Sequence, residues 1–150
     1  MSALPLGDGG MGRSDAVSVE PAVLESIPLF AGLREEDRTR VAEVAEEVAV
    51  AEGTEIVHGR DFAYHFYAIL DGEAEVVRNG QTLATLGAGD FFGEIGMLVT
   101  GRRTATVVAS RPTRLVALFG REFRRLEAEV PPFSIQIRAA LGERGWSTTV

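Results

Sequence analysis

Apolar residues recur along this chain with two different periods, and the change falls near residue 50. Between residues 35 and 48, Val41, Val44 and Val48 stand at i, i+3 and i+7, while Glu43, Glu46 and Glu47 face elsewhere. That spacing predicts a helix, and Ala42, Ala45 and Ala49 would let it pack closely on a sheet. Upstream, residues 21–27 predict a short helix with Pro21 in its first turn. An apolar knot, Pro28-Leu29-Phe30, follows before a turn at Gly32. From Val50 onward, glycines at 53, 59, 72, 80, 87 and 89 separate short apolar stretches. This is the rhythm of many short strands joined by turns, as in a sandwich or barrel. Strands are predicted over residues 64–70, 73–78, 81–86, 104–109 and 113–119, with Arg111-Pro112 breaking the last two apart. After Gly120 the helical period returns. Phe119, Phe123, Leu126 and Val130 share one face, Pro131-Pro132 stops the helix, and residues 133–144 predict a last one.

Helix, many strands, then helices make an α+β domain with the helices segregated from the sheet. Residues 1–19 are rich in Gly, Ser and Asp without a sustained period, and are expected to be a disordered tail. The domain is expected over 20–144, with a flexible tail over 145–150 that carries Trp146.

Asn79-Gly80 is the strongest two-residue hairpin signal in the chain. With those two in the loop, Arg78 is expected opposite Gln81, Val77 opposite Thr82 and Val76 opposite Leu83. Opposed residues share a face, so Val76, Leu83, Ala74 and Thr85 are expected to line one side of the sheet, as core or as the wall of a pocket.

Composition narrows the function. In 150 residues there is no cysteine, hence no disulfide, thiol nucleophile or thiolate metal site. No apolar run reaches the ~18 residues of a membrane span, and no basic-then-apolar leader opens the chain. The expected location is the cytoplasm. A net charge of −7 argues against a nucleic-acid partner. All 15 basic residues are arginines. Those at 111, 114, 121, 124 and 125 are expected to form a solvated face balanced by Glu122, Glu127 and Glu129. His58 and His65 are the only histidines. They stand seven apart, which does not suggest a metal pair, and no Ser-His-Asp set is legible. The chain reads as a binding protein, not an enzyme.

The candidate chemistry lies in residues 89–106, GDFFGEIGMLVTGRRTAT. Gly93 lets the backbone approach a ligand closely. If residues 94–98 open a short helix, the amides of Glu94, Ile95 and Gly96 converge on one spot suited to an anion. Arg102 and Arg103 follow, and a guanidinium matches a phosphate with paired hydrogen bonds. Glu94 would repel a phosphate but suits sugar hydroxyls. One anion and one hydroxyl beside an apolar wall describe a cyclic nucleotide. An ordinary Glu94–Arg103 ion pair, with the glycines serving turns, accounts for the same residues.

The stretch resembles the phosphate-binding cassette of the cyclic nucleotide-binding domain family, found in cyclic nucleotide-gated channels, cyclic nucleotide-dependent kinases and catabolite-activator-type regulators. The family pattern sets a glycine and glutamate nine residues ahead of an arginine, a small residue and an alanine. Here these are Gly93-Glu94 and Arg103-Thr104-Ala105-Thr106. The resemblance runs from about Leu29 to Leu126, taking in Pro28-Leu29-Phe30, Gly53, Gly59, the Asp71-Gly72-Glu73 turn and Leu86 to Asp90. It implies an eight-stranded antiparallel β-roll, jelly-roll-like, with flanking N- and C-terminal helices. It implies that Glu94 binds the ribose 2′-OH and Arg103 the cyclic phosphate, that Ile95 and Gly96 offer amides, that Thr104 reaches phosphate or base, and that Val76 and Leu83 touch the base. Ala105 completes the motif. Gly96 departs from the alanine or serine common in the family, which loosens the helix by up to ~1 kcal/mol.

The expected ligand is cAMP or cGMP, with no metal. The expected role is a stand-alone regulatory sensor that signals by movement of its C-terminal helices, where Phe133, Ile135, Ile137, Arg138 and Trp146 are candidates to cap the base. Only 24 residues follow Leu126, so the expectation is either a protein effector acting in trans or a chain that is a sensor fragment, and a homodimer is left open. A non-binding interaction domain of the same fold is the alternative.

Overall fold

The computed structural model describes residues 16–59, 65–93 and 105–144. The described elements, in order, are β1 (Ala16–Ser18), α1 (Pro21–Leu24), α2 (Pro28–Ala31), α3 (Glu35–Val44), β2 (Glu46–Val50), β3 (Glu55–Val57), β4 (His65–Asp71), β5 (Glu73–Arg78), β6 (Gln81–Gly87), β7 (Phe91–Phe92), β8 (Thr106–Ala109), β9 (Thr113–Phe119), α4 (Gly120–Glu129) and α5 (Pro131–Arg144). Two antiparallel sheets face each other, in orders β1-β2-β9-β4-β7 and β3-β8-β5-β6. Strands β2 to β9 make the expected eight-stranded roll with helices on both flanks, and β1 adds one more strand at the edge of β2.

Alternation along β4 and β9 sorts the apolar residues into two cores. Tyr67 and Ile69 of β4, with Leu115 and Ala117 of β9, point between the sheets and meet Val48, Ile56, Val57, Ala74, Val76, Leu86, Phe92, Ala105, Val107 and Ala109. Phe66, Ala68, Val116 and Leu118 point the other way, onto a layer of helices that supplies Leu24, Leu29, Phe30, Val41, Phe123, Leu126, Phe133 and Ile137. The apolar knot at Pro28 is thus a one-turn helix whose Leu29 and Phe30 are both buried.

Three expectations fail for identifiable reasons. The helix predicted through Val48 ends at Val44, and Ala45 is already extended. Residues 46–50 instead pair with β9, setting Val48 opposite Leu115. The run E-E-V-A-V satisfies either period over so short a length, and a partner on each side decides for the strand. The tail expected through Val19 ends sooner. Ala16–Ser18 pairs with Glu46–Val48, and Val19 is buried in the helix-side core. Three residues are too few to display a period. Finally, Phe119 does not share the face of Phe123, Leu126 and Val130. It is the last residue of β9, pointing outward and 45% exposed, because the strand's alternation and not the helix's period governs it.

Candidate functional site

The β5–β6 hairpin forms as its sequence dictates, up to one residue. Asn79 and Gly80 both take positive φ, 53° and 79°, as a turn matching the strand twist requires. Arg78 pairs with Gln81 and Val77 with Thr82. The register then shifts, so that Val76 faces Ala84, Glu75 faces Thr85 and Ala74 faces Leu86. The expected Val76–Leu83 pair is therefore corrected. Leu83 is the extra residue of a β-bulge, which bends the strand and re-aims a side chain. Its consequence is that Leu83, half-buried, still packs against the inter-sheet core to which Val76 belongs. The two residues expected at the base thus lie on one apolar surface, although not opposite each other. Thr85, expected on that surface, is exposed.

The candidate cassette begins and ends on the same core. β7 lies against β4, with Phe92 opposite Tyr67 and Phe91 opposite Ala68. Phe92 stacks on Tyr67 with ring centroids 5.2 Å apart. Gly93 follows, buried, with φ 106°, a backbone state that strains any residue carrying a Cβ. Glu94, Ile95, Gly96, Arg102, Arg103 and Thr104 lie outside the described residues, as does Trp146. Ala105 is buried among the inter-sheet residues, and Thr106 opens β8. β8 then runs beside β5, with Thr106 opposite Val77 and Val107 opposite Val76. Of the candidate residues, the structure brings Val76, Leu83 and Ala105 to one core, with Gly93 at the end of the strand that delivers Phe92 to it.

The lead-in to this segment is fixed by hydrogen bonds. Asp90 Oδ2 accepts from the Gly87 amide at 2.8 Å, and Ile69 exchanges backbone bonds with Gly89 and Asp90. Sequence reasoning missed one further tie at this rim. The Gly59 amide donates to Thr106 Oγ1 at 2.9 Å. The two residues are 47 apart in the chain, and nothing local in the sequence signals the pair.

Charge elsewhere is spent on surface pairing. Arg125 reaches Glu122 at 2.9 Å and Glu129 at 3.9 Å, and Arg114 reaches Glu47 at 3.0 Å. Glu127 is taken by Arg138 at 2.6 Å, which ties α5 to α4. Among the proposed caps, Phe133 and Ile137 are buried in the helix-side core, while Ile135 is 66% exposed. His58 lies 3.4 Å from Glu55, and His65 packs on Tyr67 and Phe119. Among the described residues no group of three acidic, His or Cys side chains could hold a metal ion, and no helix is long and apolar enough to cross a membrane. A surface concavity of about 320 Å³ is lined by Asp71, Gly72, Ala88, Arg111 and Pro112, none of them a candidate residue.

Comparison with known proteins agrees with this arrangement. The chain is 35% identical over 106 residues to the cAMP-dependent protein kinase regulatory subunit of Schizosaccharomyces pombe, covering 70% of this chain and 26% of that one. It is 31% identical over 126 residues to the cyclic AMP receptor protein of Thermus thermophilus, covering 81% of this chain and 58% of that one. The chain thus spans less than two thirds of either relative. The fold matches the crystal structure of a proposed cyclic nucleotide-binding protein from Geobacter metallireducens with a TM-score of 0.75 at 22% identity, over 84% of this chain and 98% of that one. The model of the cyclic nucleotide-binding domain matches residues 47–129, and the chain belongs to that family.

Proposed function

We propose that this chain is a regulatory module that binds cAMP or cGMP through residues 93–105 and passes the signal to a protein effector by movement of α4 and α5. The observation that carries the reading is the cassette spacing together with its two anchors. Gly93-Glu94 and Arg103-Thr104-Ala105 bound a segment anchored on the inter-sheet core by Phe92 just before it and by Ala105 at its end. In this reading Arg103 takes the cyclic phosphate in paired hydrogen bonds, and Glu94 accepts from the ribose 2′-OH. The amides of Ile95 and Gly96 complete the phosphate cradle, Thr104 adds a hydroxyl, and Val76 and Leu83 supply the apolar wall. Two relatives named for cAMP support the choice of ligand class.

The signal would be a population shift, limited by the ligand's differential affinity for two arrangements of the helices. α5 is suited to it. Its Phe133 contacts Phe66 of the roll as well as Phe30 and Phe123 of the neighbouring helices, its Gln136 Nε2 donates to the Leu29 carbonyl at 3.3 Å, and its Arg138 pairs with Glu127 of α4.

Thermal melting of the nucleotide-free chain tests the reading. A ligand at a hundred times its Kd stabilises by about 2.7 kcal/mol. Melting temperature is expected to rise with cAMP or cGMP and to stay fixed with linear AMP and GMP. Equal shifts with cyclic and linear nucleotides, or none with any, would reject it.

A further inference from the structure

We propose that Thr106 is a positioning residue for the phosphate end of the site, clamping the chain that leaves residues 94–104 against the loop after β3. The inference rests on the nucleotide-binding reading above and adds a residue to it. β3 and β8 pair at Glu55–Val108 and Val57–Val107, with an irregularity between them. Beyond Val57 the tie across this pair is made by a side chain, the Gly59 amide donating to Thr106 Oγ1 at 2.9 Å. The approach is close. A Cβ on Gly59 would stand 3.3 Å from Thr106 Oγ1 and 3.5 Å from the carbonyl carbon of Ala105. His58 Nδ1 lies 3.2 Å from the Gly59 carbonyl oxygen, and its Nε2 lies 3.4 Å from Glu55, so the turn is folded back onto β3. On its other side Thr106 is paired with Val77 of β5.

Thr106 is thus held from both sides at the first residue of β8. It lies two residues past Thr104 and three past Arg103, within about 10 Å of chain. Threonine suits the task because its β-branch restricts χ1 and so holds the hydroxyl in place. Valine would keep the branch and remove the acceptor. The paired hydrogen bonds between a guanidinium and a phosphate are geometrically demanding. Slack in the backbone at residue 106 therefore reaches the phosphate contact.

The experiment measures affinity for whichever cyclic nucleotide the nucleotide-free chain binds, alongside melting temperature. Thr106→Val is expected to bind about tenfold more weakly, equivalent to about 1.4 kcal/mol, and Thr106→Ser to recover to within about twofold of the parent. Because Thr106 acts through Arg103, the loss on Thr106→Val is expected to shrink in an Arg103→Lys background. Gly59→Ala, which presses a methyl on the same link and leaves the hydroxyl in place, is expected to weaken binding as well. Its affinity carries the test if Thr106→Val does not fold. A merely structural tie would lower the melting temperature and leave affinity unchanged in Thr106→Val and Gly59→Ala. That result, or an undiminished loss in the Arg103→Lys background, overturns the proposal. A parent chain that binds neither nucleotide overturns the underlying reading instead.

Discussion

The space between the sheets and the space under the helices are both lined by buried apolar side chains, but they are assembled differently. Between the sheets the packing is mostly aliphatic and small, with Ala74, Ala105, Ala109 and Ala117 among the valines and leucines. Under the helices five phenylalanines are buried: Phe30, Phe66, Phe91, Phe123 and Phe133. Phe66 stacks on Phe123 at 4.6 Å, lies 5.5 Å from Phe91 and meets Phe133 edge-on at 6.3 Å. The inter-sheet residues sit on strands whose backbones are bonded to one another, so their relative positions are fixed by ladders. The helices are joined to the roll mainly by side-chain packing, which has no backbone register to break. The first region is therefore suited to holding a ligand, and the second to changing its arrangement. β7 belongs to both, with Phe91 in the helix-side core and Phe92 in the inter-sheet core, one residue before Gly93.

That contrast can be broken from either side. Phe66→Ala removes the centre of the aromatic cluster and is expected to cost about 3–5 kcal/mol of stability, read from denaturant unfolding. Affinity measured on the folded protein should change less than in the variant that follows. A larger loss of affinity in Phe66→Ala would mean that the two regions are not separable. Glu94→Ala is expected to do the reverse. It loses hydrogen bonds from a neutral hydroxyl to a charged acceptor, about 1.5–3 kcal/mol of affinity, with the unfolding midpoint of the nucleotide-free chain nearly unmoved. A large loss of stability on Glu94→Ala would favour the ion-pair reading of that residue.

The parts of the fold that could be read in the sequence are those whose signal is local. The Asn79-Gly80 turn, the bounds of β5 and β9 and the proline stop after α4 all follow from a few adjacent residues. What escaped depends on partners distant in sequence. Residues 46–50 read as helix until β9 is alongside them, and 16–18 read as tail until β2 is. The bulge at Leu83 adds one residue to β6 in a hairpin whose turn predicts even pairing. At the site, Val76 and Leu83 both pack on the inter-sheet core despite the bulge. The Gly59–Thr106 link was illegible, since neither a glycine nor a threonine in a strand-rich region announces a hydrogen bond across 47 residues. The roles of Glu94, Ile95, Gly96, Arg103 and Thr104 rest on the motif, because they lie outside the described residues.

The central claim is that this chain binds a cyclic phosphate through Arg103. Isothermal titration of the nucleotide-free chain with cAMP and then cGMP, repeated on Arg103→Ala, tests it most directly. The account predicts saturable one-site heat with at least one of the two. Arg103→Ala should lose about 2–5 kcal/mol of that affinity, the cost of leaving a charged partner unpaired, or ~30-fold to several-thousand-fold. No heat with either nucleotide on a folded, empty chain would contradict the account and leave an interaction domain that keeps the fold. Equal affinity in Arg103→Ala would contradict the phosphate assignment.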